Sequence, residues 1–187
     1  MDWVGHYWHG QGLGDPRPFL AMGSMLRMHT LMTAEIDRAL KPFEMTRSGY
    51  LVLATVQLSE DGTRLLSRIA THMLVHPTTV TLVVDRLERQ GLLVRQPHPT
   101  DRRATHVRVT PAGSALMREA TEALAGVGFG LPGMSDADAA QLTKMLAPVR
   151  AAAGDVDTAH ADDAPPVSAS GAGRGRARRR KPAPVPG

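Results

Sequence analysis

Residues 65–110 read LLSRIATHMLVHPTTVTLVVDRLERQGLLVRQPHPTDRRATHVRVT, and this stretch decides the fold of the chain. Its apolar spacing predicts a short helix over Leu65–Leu74, a turn, and a second helix that begins at Pro77. Proline suits that first position because its missing N–H would have no partner there. The pattern is typical of a helix-turn-helix, whose second helix enters the major groove of DNA.

The residues after the second helix predict a β-hairpin beside it. Gly91 suits a left-handed helix end. Leu92–Gln96 and Thr105–Thr110 then alternate like short strands around a loop that contains arginines. The predicted fold class is therefore mainly α with a small β-hairpin wing: a winged helix-turn-helix domain with additional N- and C-terminal helices.

Helices are also predicted on both sides of this stretch. An apolar face with steps of three and four runs from about Pro18 to Leu40, and Pro42 ends it. Thr46 is predicted to cap a helix to about Leu58, with an apolar body formed by Tyr50, Leu51, Leu53, Ala54 and Val56. Pro111 is predicted to start a helix towards Phe129, and Ser135 to cap a last one to about Ala153.

The chain is predicted to have three parts: an N-terminal arm (1–17), a regulator region (18–153) and a disordered Pro/Gly/Arg-rich tail (154–187). Within the regulator region, residues 46–110 form the winged domain, and residues 18–45 and 111–153 form the dimerisation helices.

Composition narrows the class of function. The chain has 187 residues and a formal charge of +4, and residues 64–108 alone hold eight arginines against three acids. Such clustering favours a nucleic-acid partner. The absence of cysteine excludes disulfides and thiolate metal sites. No apolar run approaches the roughly 20 residues of a membrane span, so we expect a soluble cytoplasmic protein with no membrane partner.

The predicted DNA contacts lie on the second helix and in the wing. Threonine offers a hydroxyl to base edges and a methyl group to thymine, whereas leucine offers only methyl groups. Long basic side chains and the helix start suit phosphate. In the wing, Arg103 is expected in the minor groove or on phosphate, with Asp101 holding an arginine in place. The alternative is that the threonines are helix caps, the arginines are solvated and the wing tip is a plain exposed turn. The candidates are His76, Thr78, Thr79, Thr81, Leu82, Arg86, Asp101, Arg102 and Arg103.

Three other interpretations of the sequence concern a ligand pocket, a metal site and an enzyme. The methionines of the first helix are typical of a soft ligand pocket or, more often, of plain dimer core; the candidate ligand residues are Met22, Met25, His29, Met32 and Tyr50. A zinc site would need His72, His76, His98 and His106, but no nearby carboxylate or thiolate completes a tetrahedral set. An enzyme is disfavoured because we find no phosphate loop, catalytic triad or paired carboxylates. No cofactor is predicted.

Residues of about 18–150 resemble the MarR family of bacterial transcriptional regulators. The resemblance rests on TRSGYLVLATV, LLSRIATHM, HPTTVTLVVDRLERQGLL and HPTDRRATHVRVTPAG. It implies a homodimer with intertwined terminal helices, and a repressor that a small, often aromatic or phenolic, ligand releases from DNA. Two positions depart from the family pattern. Leu74 stands where glycine is frequent, so we expect a wider turn or a longer first helix there. Leu82 stands where many members have arginine.

The resulting prediction is a sequence-specific, homodimeric regulator of double-stranded DNA. Two-fold symmetry predicts a pseudo-palindromic operator with half-sites about one helical turn apart. The alternatives are a non-specific or architectural DNA-binding protein, for which the basic segment RGRARRRK in the tail has the charge, and a metal-responsive regulator.

Overall fold

The computed structural model describes residues 4, 7, 8, 10–59, 62–97 and 104–155, and the structural statements below concern these residues. They form six α-helices, three short strands and two 3-10 turns, which confirms the predicted fold class. In chain order the elements are α1 (Arg17–Leu40), a 3-10 turn (Lys41–Phe43), α2 (Arg47–Gln57), β1 (Thr63–Leu65), α3 (Leu66–His72), α4 (Pro77–Arg89), β2 (Leu93–Pro97), β3 (Thr105–Val109), α5 (Pro111–Gly126), a 3-10 turn (Gly128–Gly130) and α6 (Asp136–Ala152).

The wing sheet has one strand more than the sequence predicted. β3 lies in the centre and pairs antiparallel with β2 on one side and β1 on the other. Leu65, which we predicted to begin the first helix of the helix-turn-helix, has an extended backbone (φ −65°, ψ 134°) and lies opposite His106 in this sheet. The predicted hairpin is present as β2 and β3, and β1 adds a third strand to it. Three residues are too few to show a period, so β1 gave no signal in the sequence.

The helix limits follow from caps that the sequence contains. Helix α1 ends at Leu40, one residue before the 3-10 turn that holds Pro42. Thr46 Oγ1 accepts the N–H of Gly49 at 3.1 Å and so starts α2 as predicted. Leu51, however, is half-exposed and not part of the apolar body. The buried stripe of α2 runs through Gly49, Val52, Leu53, Thr55 and Val56.

One hydrophobic core joins the helix-turn-helix to its flanking helices. The largest fully buried side chains come from α1, α2, α3, α4, β3 and α5: Leu40, Leu53, Ile69, Leu124, Val52, Val56, Val80, Val84 and Val107. Helix α4, the second helix of the helix-turn-helix, thus shares its core with side chains of α1, α2, α3, β3 and α5. A helix orientation that is fixed in this way is what precise docking into a groove requires.

The C-terminal helices depart slightly from the predicted limits. Helix α5 ends at Gly126 and does not continue to Phe129, whose φ of 53° is left-handed and cannot extend a helix. Ser135 Oγ accepts the N–H of Asp138 at 3.2 Å and caps α6 as predicted. No residue of α6 is buried in the single chain.

Within the described ranges, no helix combines the length and the apolar composition that crossing a membrane demands.

Candidate nucleic-acid interface

The turn between α3 and α4 is tight, and Leu74 itself takes the left-handed conformation, with φ 52°. The Val75 N–H bonds to the Ala70 carbonyl, and the Leu74 N–H bonds to the Thr71 carbonyl, both at 3.2 Å. These two bonds form a Schellman motif, which normally has glycine at the position of Leu74. The expected widening of the turn was wrong, because the two hydrogen bonds hold Leu74 in a conformation that leucine does not favour.

His76 caps the start of the recognition helix α4 with its imidazole ring. Its Nδ1 accepts the backbone N–H of Thr78 at 3.3 Å and lies 3.1 Å from Thr78 Oγ1. The backbone N–H and the hydroxyl of Thr78 are thus both held against the same ring nitrogen. His76 therefore has the capping role that the alternative interpretation assigned to the threonines, and its phosphate contact stays a prediction.

The outer face of α4 carries the other predicted base contacts. Val80, Val84 and Leu87 are buried, which turns Thr78, Thr79 and Leu82 towards solvent. Thr81 is half-buried, and its Oγ1 donates to the carbonyl of Pro77 at 3.1 Å. Leu82 is 64% exposed although it is apolar. The helix therefore presents the predicted surface, although two of its hydroxyls are already engaged.

Arg86 is exposed, but it also contacts the protein. Its Nη2 donates to the backbone carbonyl of Glu44 at 3.3 Å. Glu44 has a left-handed φ of 51° and ends the 3-10 turn after α1. Arg86 and Leu82 line a groove between α4 and this turn, whose other walls include Met45 and Gly49. The guanidinium thus joins the recognition helix to the segment between α1 and α2.

Arg95 on β2 is a functional candidate that the sequence interpretation missed. Its guanidinium donates to Asp85 Oδ1 at 2.5 Å and to the carboxylate of Glu88, and its backbone N–H donates to Glu88 Oε1 at 3.1 Å. Burial alone would lower the pKa of Arg95, but these hydrogen bonds and charges raise it above its ordinary value. The only signal in the sequence was a pair of acids three residues apart on an otherwise basic helix.

The base of the wing is tied to the end of α4 and the start of α5. Thr110 Oγ1 donates to the Gly91 carbonyl at 2.7 Å and accepts the N–H of Gly113 at 3.0 Å. A Cβ atom at Gly113 would lie 2.2 Å from the backbone oxygen of Leu92, which only glycine permits. Gly91 has a φ of 71°, as its predicted role at the helix end requires. These contacts hold the ends of β2 and β3 beside the C-terminal end of the recognition helix.

The wing tip lies outside the described residues. The contacts predicted for Asp101, Arg102 and Arg103, and the position of His98, therefore stay predictions from the sequence. On the described part of the wing, Arg108 Nε donates to Thr63 Oγ1 at 3.3 Å, which ties β3 to β1.

The candidate ligand residues are distributed along α1 and α2. Met22 and Met25 are about half exposed, His29 is exposed and Met32 is partly buried. Tyr50 Oη lies 3.0 Å from Thr121 Oγ1 in a partly buried contact between α2 and α5. The two grooves found beside Arg86 are lined by other residues. In the described ranges, no three histidine or acidic side chains are grouped closely enough to hold a metal ion.

This chain is similar in sequence and in structure to known transcriptional regulators. A sequence profile of the MarR family matches residues 45–105. The HTH-type transcriptional repressor IacR of Pseudomonas putida is 32% identical over 125 residues, which cover 65% of this chain and 72% of that protein. Sco5413, a MarR family transcriptional regulator from Streptomyces coelicolor, is 33% identical, with a TM-score of 0.68 over 76% of this chain and 99% of that one. Sco3205, a MarR family regulator of the same organism solved in complex with DNA, is 20% identical and has the same fold, with a TM-score of 0.65 over 74% of this chain and 88% of that one.

Proposed function

Since the chain belongs to the MarR family of transcriptional regulators, we propose that it binds a pseudo-palindromic operator in double-stranded DNA as a homodimer and represses transcription until a small molecule releases it. Members of this family are transcriptional regulators, so the expectation that the chain is not an enzyme is confirmed. IacR is named a repressor, and this is what favours repression over activation here.

The observation that carries the proposal is the construction of α4. Its inner face is anchored by Val80, Val84 and Leu87, and its first two turns present exposed side chains. Arg95 pairs with both acids of this helix. Because paired carboxylates repel phosphate less than free ones do, the surface that faces DNA is left with a basic balance. An exposed helix that is anchored on its inner face and has its acids paired is suited to the major groove.

The homodimer is supported by apolar surface on the terminal helices. Single apolar residues are common on protein surfaces, but a larger group of exposed apolar side chains is typical of an interface. Several large apolar side chains of α1 and α6 are about half exposed or more in the single chain: Met22, Met25, Leu26, Leu31, Met145 and Val149. A second copy of the chain would cover them and would set the distance between the two recognition helices.

The effector site is proposed beside the same helices. Met22, Met25, His29 and Met32 lie on α1, and methionine adapts to varied apolar shapes. Tyr50 would close the site from α2. An effector bound there would favour a spacing of the two recognition helices that no longer fits one face of DNA, which is release by population shift.

The test is a binding selection with the full chain on fragments of its own genome, followed by footprinting at a stated physiological salt concentration. We expect one protected pseudo-palindrome, whose protection is weakened by Thr79→Ala and by Arg103→Ala. Thr143→Ala is the matched control, because Thr143 is an exposed threonine of α6 whose hydroxyl bonds within its own helix. Salt-labile binding with no preferred sequence would contradict the proposal and support an architectural role.

A further inference from the structure

We infer that the recognition helix selects its operator mainly by apolar contact with thymine C5-methyl groups, and that Leu82 is the specificity-determining residue. The inference rests on the proposed function, because it names the chemistry by which α4 distinguishes one DNA sequence from another. Three observations on the first two turns of α4 carry it.

The first observation is that two of the three threonine hydroxyls already make hydrogen-bond contacts within the protein. Thr81 Oγ1 donates to the Pro77 carbonyl at 3.1 Å. Thr78 Oγ1 lies 3.1 Å from His76 Nδ1, the nitrogen that also accepts the Thr78 N–H. A hydroxyl has one proton, so Thr81 Oγ1 cannot also donate to a base, although it can still accept, and the Thr78 hydroxyl is held by the imidazole. Thr79 keeps the one hydroxyl of the three for which the described residues offer no partner.

The second observation concerns Leu82, which lies at the centre of this face. It is 64% exposed and has no polar atom beyond its backbone. It lies one turn after Thr78 and Thr79 and one turn before Arg86, so it projects between them. An exposed leucine at this place has only one kind of base contact available in the major groove, which is the thymine methyl group.

The third observation is the position of Arg86. Its Nη2 donates to the Glu44 carbonyl at 3.3 Å, which holds the guanidinium towards the segment between α1 and α2. Guanine presents only acceptors, N7 and O6, in the major groove. Residues 78–82 offer few free side-chain donors, because Leu82 has none and Thr81 Oγ1 already donates to the Pro77 carbonyl, so guanine is poorly recognised there, whereas thymine is recognised by its methyl group.

The experiment replaces thymine by deoxyuridine, one position at a time, in the operator recovered from the genomic selection. This change removes the C5-methyl group and leaves base pairing intact. Burying one methyl-sized group corresponds to about a fourfold change in affinity. We expect the full chain to bind about fourfold more weakly when one critical thymine is replaced, and about fifteenfold more weakly when the equivalent thymine of both half-sites is replaced.

The variants Leu82→Ala and Leu58→Ala identify the residue responsible. Leu58 is the matched control, because it is an exposed leucine at the end of α2, 79% accessible. We expect Leu82→Ala to bind the thymine and deoxyuridine operators equally, and Leu58→Ala to behave as the unmodified chain. Thermal unfolding of each variant checks that it is folded.

Each other outcome overturns the inference in a distinguishable way. Equal binding of thymine and deoxyuridine operators by the unmodified chain would show that methyl groups are not read, while the proposed function would stand. A loss that persists in Leu82→Ala would assign the contact to another residue. Equal binding of operator and random DNA would overturn the proposed function itself, and the inference with it.

Discussion

Arg95 in the wing and Asp85 in the recognition helix are joined by a hydrogen bond of 2.5 Å between Nη2 and Oδ1. The same guanidinium also pairs with Glu88, one helical turn further on. The relationship has two consequences: it fixes strand β2 against α4, and it offsets part of the negative charge of the two carboxylates on a helix that is to approach phosphate. Each consequence can be measured separately.

Replacing Arg95 by methionine should weaken DNA binding more than it weakens the fold. The pairs are only partly buried, so we expect a loss of about 1 kcal/mol in the free energy of unfolding. Operator affinity should fall by about tenfold at low salt and less at high salt, because two unpaired carboxylates then face DNA. Chemical unfolding and fluorescence anisotropy across a salt series measure the two effects.

The control for charge is the triple variant Asp85→Asn, Glu88→Gln, Arg95→Met. It removes both ion pairs of Arg95 without leaving free carboxylates on α4. Recovery of affinity in this variant would show that Arg95 acts through neutralisation, and a persistent loss would show that it acts by positioning the wing. If Arg95→Met bound the operator as tightly as the unmodified chain at low salt, both roles would be excluded.

Replacing Leu74 by glycine should stabilise the protein. Leu74 has φ 52° in the turn of the helix-turn-helix and is mostly exposed, so its side chain contributes little packing. A left-handed residue with a Cβ atom costs about 1 kcal/mol or more, part of which glycine loses again through the greater freedom of the unfolded chain. We expect a net gain of about 0.5–1 kcal/mol in the free energy of unfolding, measured with urea.

Two further variants serve as controls for this prediction. Leu74→Ala keeps the Cβ atom and should give no such gain. Gly91→Ala is the converse, because Gly91 holds the equivalent left-handed position after α4, with φ 71°, and should lose about 1 kcal/mol. A destabilised Leu74→Gly protein would mean that the leucine side chain packs on something that outweighs the backbone strain.

The sequence was sufficient for the parts of the fold that follow from local chemistry. The caps Thr46 and Ser135, the stop at Gly91 and the start at Pro77 are local, and the structure confirms each of them. Leu74 shows the limit of this reasoning: the sequence indicated strain, but the number of residues between the helices left only the left-handed solution.

The candidate site was less predictable, because it depends on pairs that are distant in the chain. Arg95 entered the sequence analysis only in the count of arginines in residues 64–108, yet it is paired with α4. Arg86 was expected to reach phosphate, yet it also contacts the Glu44 carbonyl, 42 residues earlier in the chain. Helical spacing tells which side of α4 these residues occupy, but tertiary packing decides what they meet.

Replacing Gly113 by alanine should disturb the junction between the wing and α5. The added Cβ atom would lie 2.2 Å from the Leu92 backbone oxygen and 2.9 Å from Val109 Cγ1, and the backbone atom cannot rotate away. We expect a loss of about 1–3 kcal/mol in the free energy of unfolding, together with weaker operator binding. Gly126→Ala is the control in the same helix, since nothing lies within 4 Å of its added Cβ atom. Equal stabilities of the two variants would contradict this account of the junction.

Replacing Met145 by glutamate should dissociate the proposed dimer and thereby weaken operator binding. Met145 is 64% exposed on α6 of the single chain, so the charge should be tolerated by the monomer. In a dimer interface it would lose its water without a partner, at a cost of several kcal/mol. We expect the dimer dissociation constant to rise at least about a hundredfold, measured by analytical ultracentrifugation. Thr143→Glu, on the opposite side of the same helix, adds the same charge and should leave the dimer intact. A Met145→Glu protein that remains dimeric and binds its operator normally would place the dimer interface elsewhere.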